Sequence, residues 1–279
     1  MLFEHGGHTV DYELRGAGPT AILVHGLTVD RRLMIEAFDE LLAAAGVRRL
    51  YVDLPGHGKS RGDAARTSAD AFVELLAALL RRELAPAERA GELEAPLVIG
   101  HSYGAYLATA LVRELGGARG LFLVCPVVEP DFARRRPAAR RVAARVDGLA
   151  YSDDAREREA FEEVAVRMTP EVLARFQRVV HPANVTVDGR VVAALRARYV
   201  VSRPLGDALA TLDAPVGIVC GRDDHWAGWE DAAGLVRQTT RAAYAVVPDC
   251  GNLLPIEDPE ALRWFADDWL RRVSISGVR

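Results

Sequence analysis

The feature that most constrains this chain is the pentapeptide Gly-His-Ser-Tyr-Gly at residues 100–104, which lies between two apolar segments. Residues 96–99 form a short apolar run bounded by Pro and Gly, which predicts a buried strand. Residues 103–115 carry apolar side chains at helical spacing, which predicts an amphipathic helix. A G-x-S-x-G pattern on such a strand-to-helix turn lifts the serine hydroxyl above the edge of a sheet. Ser102 is therefore a candidate nucleophile beside a helix N-terminus, where negative charge is favoured.

Strand and helix patterns alternate along most of the remaining chain. Other predicted strands are residues 1–4, 9–14, 20–24, 50–54, 121–125, 216–220 and 243–247. Other predicted helices are residues 31–45, 68–84, 231–238 and 260–273. This alternation predicts an α/β fold with a mainly parallel sheet that helices cover on both faces.

Residues 127–204 interrupt the alternation. The segment is dense in Arg and Glu, and its apolar residues recur at helical spacing without a clear buried strand. A chain of 279 residues is long for one domain and short for two. We therefore expect a core domain of residues 1–126 and 205–279, with residues 127–204 as an inserted helical cap. Such a cap would roof the pocket over Ser102 and exclude water.

Composition excludes several function classes. A net charge of −4 gives no electrostatic basis for a nucleic-acid partner. No apolar run approaches a membrane span, and the N-terminus lacks a basic-then-apolar signal, so we expect a cytoplasmic protein without membrane association. The three cysteines are an odd count, and we expect buried free thiols. The expected partner is a small-molecule substrate, and the expected state is a monomer or homodimer.

Several motifs follow the predicted strands in a fixed order, and together they resemble the α/β-hydrolase superfamily over nearly the whole chain. They are His25-Gly26, the segment DLPGHGKS at residues 53–60, the turn at Ser102, GRDD at residues 221–224, and a Gly-x-x-x-Pro-x-Glu-x-Pro pattern at residues 251–259. The resemblance implies an α/β-hydrolase fold of the capped serine-hydrolase type. It implies no cofactor, and the sequence contains neither metal-ligand spacing nor a nucleotide-binding motif.

The resemblance also implies roles for individual residues. Ser102 matches the nucleophile that attacks a carbonyl carbon. Leu27 and Tyr103 match the two positions whose backbone N–H groups form an oxyanion hole. The implied substrate is an ester, lactone, thioester or amide.

Three acidic positions are candidates for the carboxylate of the triad, and the base position departs from the family. Asp224 matches the usual spacing better than Asp223, and Glu129 occupies a position used by some family members. The family carries a His directly after a Gly in the loop before the last helix, and here that position is Asn252. An amide is no base near neutral pH. Losing the His of a triad can cost on the order of a million-fold in rate.

Three interpretations of Asn252 stay open. The chain can be an inactivated His-to-Asn variant of a working serine hydrolase. His225, directly after Asp224, can serve as the base instead. The pocket can also serve ligand binding or non-hydrolytic chemistry that uses the oxyanion hole without a triad.

The substrate is expected to be mainly hydrophobic, because apolar lining is usual for such pockets. The candidate pocket residues are His25, His225, Trp226 and Trp229, with Tyr103 and Tyr106 beside them. Six arginines crowd the first part of the cap, namely Arg134, Arg135, Arg136, Arg140, Arg141 and Arg145. One interpretation is that they bind an anionic substrate or dock a carrier protein. The other is that they form a solvated helix face whose charge is balanced by the acids of residues 153–163. We favour the second interpretation.

Overall fold

The computed structural model describes residues 1–89 and 95–276. Its strands are β1 (Leu2–His5), β2 (His8–Arg15), β3 (Thr20–Val24), β4 (Arg48–Val52), β5 (Leu97–His101), β6 (Gly120–Val124), β7 (Ala144–Arg145), β8 (Arg167–Met168), β9 (Val216–Gly221) and β10 (Ala242–Val247). Its α-helices are α1 (Arg31–Ala44), α2 (Ala69–Arg89), α3 (Tyr103–Leu115), α4 (Ala155–Val164), α5 (Pro170–Val179), α6 (His181–Thr186), α7 (Gly189–Ala197), α8 (Glu230–Ala233), α9 (Leu254–Glu257) and α10 (Pro259–Ser276). Short 3-10 helices cover Ala64–Arg66 and Leu235–Gln238.

The main sheet has eight strands in the order β1-β2-β4-β3-β5-β6-β9-β10. In this order, all neighbouring strands from β4 onward pair in parallel, namely β4, β3, β5, β6, β9 and β10. In contrast, β2 pairs antiparallel with both β1 and β4. The predicted α/β fold with a mainly parallel sheet is therefore confirmed. Because β5 lies between β3 and β6, its carboxyl end emerges near the middle of the sheet edge, where open α/β sheets bind ligands.

Apolar side chains fill both sides of the sheet. On one side, buried residues of α2 and α3 pack against inward-facing residues of β3, β4 and β5. On the other side, α1 and α10 cover the sheet, and the Trp269 ring lies 5.2 Å from the Phe122 ring of β6. Burial of this kind supplies most of the driving force for folding. Of the described helices, none is both long and apolar enough to cross a bilayer.

The segment between β6 and β9 contains helices α4 to α7 and one small parallel pair of strands, β7 and β8. Phe161 of α4 and Phe176 of α5 are buried together with Leu33 and Ile256 of the neighbouring elements. The division into a core and a cap at residues 127–204 remains a prediction.

Two local expectations differ from the structure. The predicted helix over residues 231–238 is two short pieces, because α8 ends at Ala233 and a 3-10 turn follows Gly234. Residues 127–143, which contain most of the crowded arginines, form turns and irregular backbone instead of a helix. The cysteines Cys125, Cys220 and Cys250 are free and buried, as expected.

Candidate active site

Ser102 occupies a strained turn between β5 and α3. Its φ of 54° and ψ of −120° lie in a region that non-glycine residues rarely adopt, at a cost of about 1–3 kcal/mol. Two backbone hydrogen bonds hold the turn, since Ser102 N–H donates to the carbonyl of Val124 at 2.8 Å and Val127 N–H donates to the carbonyl of Ser102 at 3.1 Å. The neighbouring strand therefore fixes the position of the serine.

Neighbouring backbone lies so close to the two glycines of the pentapeptide that no side chain fits at either position. A Cβ on Gly100 would lie 2.5 Å from the Cα of Ala105. A Cβ on Gly104 would lie 2.3 Å from the carbonyl oxygens of Val24 and His25. Side chains at either position would push α3 away from β3 and β5, so the motif needs glycine on both sides of the serine.

A cavity of about 600 Å³ opens over Ser102. Of the predicted site residues, its wall includes Leu27, Ser102, Tyr103, Trp226 and Asn252. This volume is in the range of small-molecule sites. The structure therefore brings the nucleophile candidate and the residue at the base position to one cavity.

Two backbone N–H groups beside Ser102 have no acceptor among the described residues. Within the described residues, neither Leu27 N–H nor Tyr103 N–H donates a hydrogen bond. Both residues line the cavity, and Tyr103 is the first residue of α3, where the helix dipole is positive. The pair is suited to an oxyanion.

Asp224 is the acidic candidate that contacts position 252. Its Oδ2 accepts a hydrogen bond of 2.8 Å from Asn252 Nδ2, and its Oδ1 accepts bonds of 2.9 Å from the N–H groups of Trp226 and Ala227. The side chain is completely buried, and burial raises the pKa of Asp224, although these three hydrogen bonds oppose the rise. Of the three acidic candidates, Asp224 is thus the one that bonds Asn252 among the described contacts.

The other two acidic candidates face cations elsewhere. Asp223 Oδ1 accepts a hydrogen bond of 2.9 Å from Arg141 Nε. The carboxylate of Glu129 lies 3.3 Å from the guanidinium of Arg134. Neither side chain bonds to Asn252 among the described contacts.

His101 contacts the backbone of the loop that contains Asn252. Its Nε2 lies 2.8 Å from the carbonyl oxygen of Asn252, and the ring is buried. Burial lowers the pKa of His101 to about 4, so the ring is neutral at physiological pH. In this state Nε2 carries the proton that the carbonyl accepts, which leaves Nε2 unavailable as a base.

Three of the four predicted pocket residues lie outside the cavity wall. His25 is buried beneath it, where Leu54 N–H donates 2.9 Å to His25 Nε2 and the Nδ1 lies 2.7 Å from the carbonyl of Gly26. His225 Nε2 lies 3.0 Å from the carbonyl of Glu163. The Trp229 ring packs under the Arg222 guanidinium at 5.2 Å. Each of these rings makes a local contact, and none of the three residues lines the cavity.

An aromatic cluster from the predicted cap completes the wall. The Tyr199 ring lies 4.1 Å from the Tyr103 ring, and Tyr103 Oη donates 3.0 Å to the carbonyl of Tyr199. Tyr106, expected beside the pocket, is buried behind Tyr103 and accepts a bond from Val201 N–H. The sequence contains no spacing that pairs residue 199 with residue 103, since this contact depends on how the cap folds back.

Glu257 is a buried residue whose contacts the motif alone did not reveal. Its carboxylate accepts hydrogen bonds of 2.6 Å from Gly251 N–H, 2.6 Å from Val166 N–H and 3.2 Å from Arg167 N–H. Burial raises the pKa of Glu257, which these bonds oppose. One buried carboxylate therefore joins the loop of Asn252 to β8.

No described residues form a group of three or more His, Cys, Asp or Glu side chains that could hold a metal ion. The arrangement offers instead a hydroxyl, two free N–H donors and a buried amide–carboxylate pair at one cavity. Such a set can bind a carbonyl group and stabilise negative charge on its oxygen.

Comparison with known proteins agrees with this fold. The model of the alpha/beta hydrolase family matches residues 21–263. No curated protein matches the chain significantly in sequence.

Solved structures resemble the whole chain. An alpha/beta superfamily hydrolase from Oenococcus oeni PSU-1 is similar with a TM-score of 0.86 and 22% identity, covering 98% of this chain and 99% of that one. A malate-bound thermophilic esterase from Thermogutta terrifontis is similar with a TM-score of 0.66 and 26% identity, covering 95% and 94%. An esterase from Rhodococcus sp. ECU1013 is similar with a TM-score of 0.75 and 22% identity, covering 98% of both chains.

Proposed function

Because the chain belongs to the alpha/beta hydrolase family, we propose that it carries the acyl-transfer site of a serine hydrolase in which Asn252 replaces the general base. The observation that carries the proposal is the shared cavity of Ser102, the two free N–H groups and the Asn252–Asp224 pair. The substrate is a small carbonyl compound, an ester first of all, in keeping with the esterase titles of two similar structures.

The proposed reaction proceeds in two steps. Ser102 Oγ forms a bond to the substrate carbonyl carbon, the carbonyl oxygen becomes an oxyanion held by Leu27 and Tyr103 N–H, and the alcohol leaves with the serine proton. Water then attacks the acyl-enzyme, returns a proton to Ser102 Oγ and releases the carboxylic acid.

Asn252 limits both steps. A triad His uses one ring nitrogen to bond the acid and the other to move the proton of the nucleophile. Asn252 reproduces the first contact at 2.8 Å from Asp224, but its amide ends before the position of the second nitrogen and does not accept a proton near neutral pH. We therefore expect ester hydrolysis by this chain to be slow, and we expect Asn252→His to restore it.

Covalent labelling tests this proposal. A fluorophosphonate probe reacts with a serine whose proton is removed by a base, and its adduct is detected by intact-protein and peptide mass spectrometry. We expect rapid labelling at Ser102 in Asn252→His, slow labelling in the unchanged chain and none in the double variant Ser102→Ala/Asn252→His. Labelling of the double variant, or an equally slow reaction of Asn252→His, would contradict the proposal.

A second candidate function follows from the same pair of residues. An intact cavity without a base is also what a ligand-binding protein of this fold would retain. This function predicts that Ser102→Ala leaves ligand binding unchanged and that Asn252→His gains no labelling.

A further inference from the structure

One arginine of the crowded segment differs from its neighbours. Most of the others bond acids: Arg134 bonds Glu129, Arg136 bonds Asp231, Arg141 bonds Asp223 and Asp249, and Arg145 bonds Glu162. These four form a solvated, charge-balanced surface, but the backbone is not the expected helix, and only Arg145 pairs with an acid of residues 153–163. Arg135 instead points inward and lines the cavity over Ser102.

Arg135 is a nearly buried cation without an acidic partner. Its residue exposure is 9%, and it forms no ion pair with any residue in the described ranges. Its guanidinium donates to three backbone carbonyls, those of Glu129 at 2.9 Å, Trp226 at 3.1 Å and Pro130 at 3.4 Å. A guanidinium has five N–H donors, and the Tyr199 hydroxyl is a further hydrogen-bond partner beside these three carbonyls, so one donor remains for a ligand.

Aromatic rings hold the guanidinium against the cavity wall. The Arg135 Cζ lies 4.3 Å from the Phe132 ring centroid and 5.9 Å from the Tyr199 centroid. Tyr199 in turn packs against Tyr103, the residue directly after Ser102. The cation is therefore fixed in the same cavity as the proposed nucleophile, at a position set by stacking and by carbonyls.

The charge of the cavity wall is positive. Its described charged residues are Arg135, Arg196 and Glu163, two cations and one anion. Neither Arg196 nor Glu163 forms an ion pair within the described part of the chain, and His101 is neutral at physiological pH. The Asp224 carboxylate does not line the cavity, and its oxygens already accept three hydrogen bonds from Asn252, Trp226 and Ala227. Burying a cation is costly unless an anion accompanies it, so Arg135 is complementary to a ligand with one negative charge.

We infer that Arg135 forms a carboxylate subsite and that the substrate is an ester whose acyl chain ends in a carboxylate, such as a monoester of a dicarboxylic acid. A guanidinium N–H donates a charge-assisted hydrogen bond to a carboxylate, which fixes the far end of the acyl chain while the ester carbonyl lies at Ser102. This inference rests on the proposed function for the identity of the scissile bond, and on Arg135 alone for the charge of the ligand.

Binding of two matched probes to the unchanged chain tests the subsite without turnover. The probes are monomethyl glutarate, which is a monoanion at pH 7.5, and dimethyl glutarate, which is neutral and of similar length. We expect calorimetric titration to give at least tenfold tighter binding of the monoanion. Equal affinity for the two probes would overturn the inference.

Variants assign the preference to Arg135. Arg135→Gln should weaken the binding of monomethyl glutarate about ten- to a hundredfold and leave the affinity for dimethyl glutarate unchanged. Arg134→Gln, an adjacent exposed arginine paired with Glu129, is the control and should retain the full preference. If Arg135→Gln does not fold, Arg135→Lys keeps the charge but loses the planar guanidinium that stacks on the Phe132 ring and bonds three carbonyls, and it should lose most of the preference. Retention of the preference in either Arg135 variant would refute the subsite.

The two proposals fail separately. A monoanion preference together with unlabelled Ser102 in Asn252→His would refute the hydrolase and leave the subsite standing. Labelled Ser102 without any preference for the monoanion would refute the subsite and leave the hydrolase standing.

Discussion

The contact between Glu257 and the loop of Asn252 gives a quantitative prediction. In Glu257→Ala, the N–H groups of Gly251 and Val166 lose their acceptor at 2.6 Å, and both of these hydrogen bonds are buried. Each buried N–H donor left without an acceptor costs about 1–3 kcal/mol of stability. Removal of the buried carboxylate also removes its own desolvation cost, which offsets part of this loss. We expect the free energy of unfolding to fall by about 3 kcal/mol.

Urea denaturation followed by circular dichroism measures this loss. Glu260→Ala is the matched control, because Glu260 is an exposed glutamate three residues further along, and it should change stability by less than about 0.5 kcal/mol. Because Gly251 precedes position 252, Glu257→Ala should also slow fluorophosphonate labelling when combined with Asn252→His. A stability loss no greater than that of the control would refute the reasoning that one carboxylate holds both segments.

Further predictions concern buried histidines, a glycine and pH dependence of catalysis. Burial lowers the pKa of three histidines, to about 4 for His25 and His101 and to about 3 for His57. These pKa values lie below the value of about 6.5 in the unfolded chain, so the unfolded chain binds protons first as the pH falls. The stability that the neutral histidines contribute is therefore fully present above pH 6.5 and is lost as the pH falls toward 4. Urea denaturation at pH 7 and pH 5 should show lower stability at pH 5, and equal stability would contradict this. Gly104→Ala should destabilise the chain by more than about 2 kcal/mol because its Cβ meets carbonyls at 2.3 Å, whereas Gly189→Ala, with open space around its Cβ, should stay within about 1 kcal/mol in the same assay. Residual hydrolysis by the unchanged chain should show no inflection between pH 6 and 8, and Asn252→His should introduce one; an inflection in the unchanged chain would indicate another base.

The layered core could be predicted because its signals are local. Apolar runs such as residues 20–24 and helical spacing such as residues 103–115 appear within one element, and the structure has the same bounds there. The predicted helix over residues 231–238 fails because Gly234 interrupts it and the remainder closes as a 3-10 turn. Periodicity over eight residues does not distinguish these two outcomes.

The candidate site was predictable where one motif places the residue and unpredictable where two distant segments meet. Ser102, Leu27 and Asn252 follow strand ends, and strand ends of a parallel sheet converge on one edge. His225 and Trp229 are near that edge in sequence, yet the cavity wall includes neither, and their rings contact the carbonyl of Glu163 and the guanidinium of Arg222. Such contacts depend on the three-dimensional arrangement of segments that no local pattern encodes.

The arginine-rich run illustrates the same limit. Six arginines within twelve residues favoured a solvated helix face, but the backbone there is irregular. Acids that pair with this run come from residues 129, 223, 231 and 249 as well as from the predicted set at residues 153–163. Arg135 is distinguished only by its burial and stacking, which the sequence does not show.

The central claim is that this chain has an acyl-transfer site that lacks only its base. The most direct test compares kcat/KM of the unchanged chain, Asn252→His and Ser102→Ala/Asn252→His on a panel of neutral and monoanionic 4-nitrophenyl esters. Since a triad His contributes up to about a million-fold, or on the order of 8 kcal/mol of barrier, we expect Asn252→His to gain at least about a thousandfold and the double variant to lose that gain. Equal rates for the unchanged chain and Asn252→His on every ester would contradict the claim.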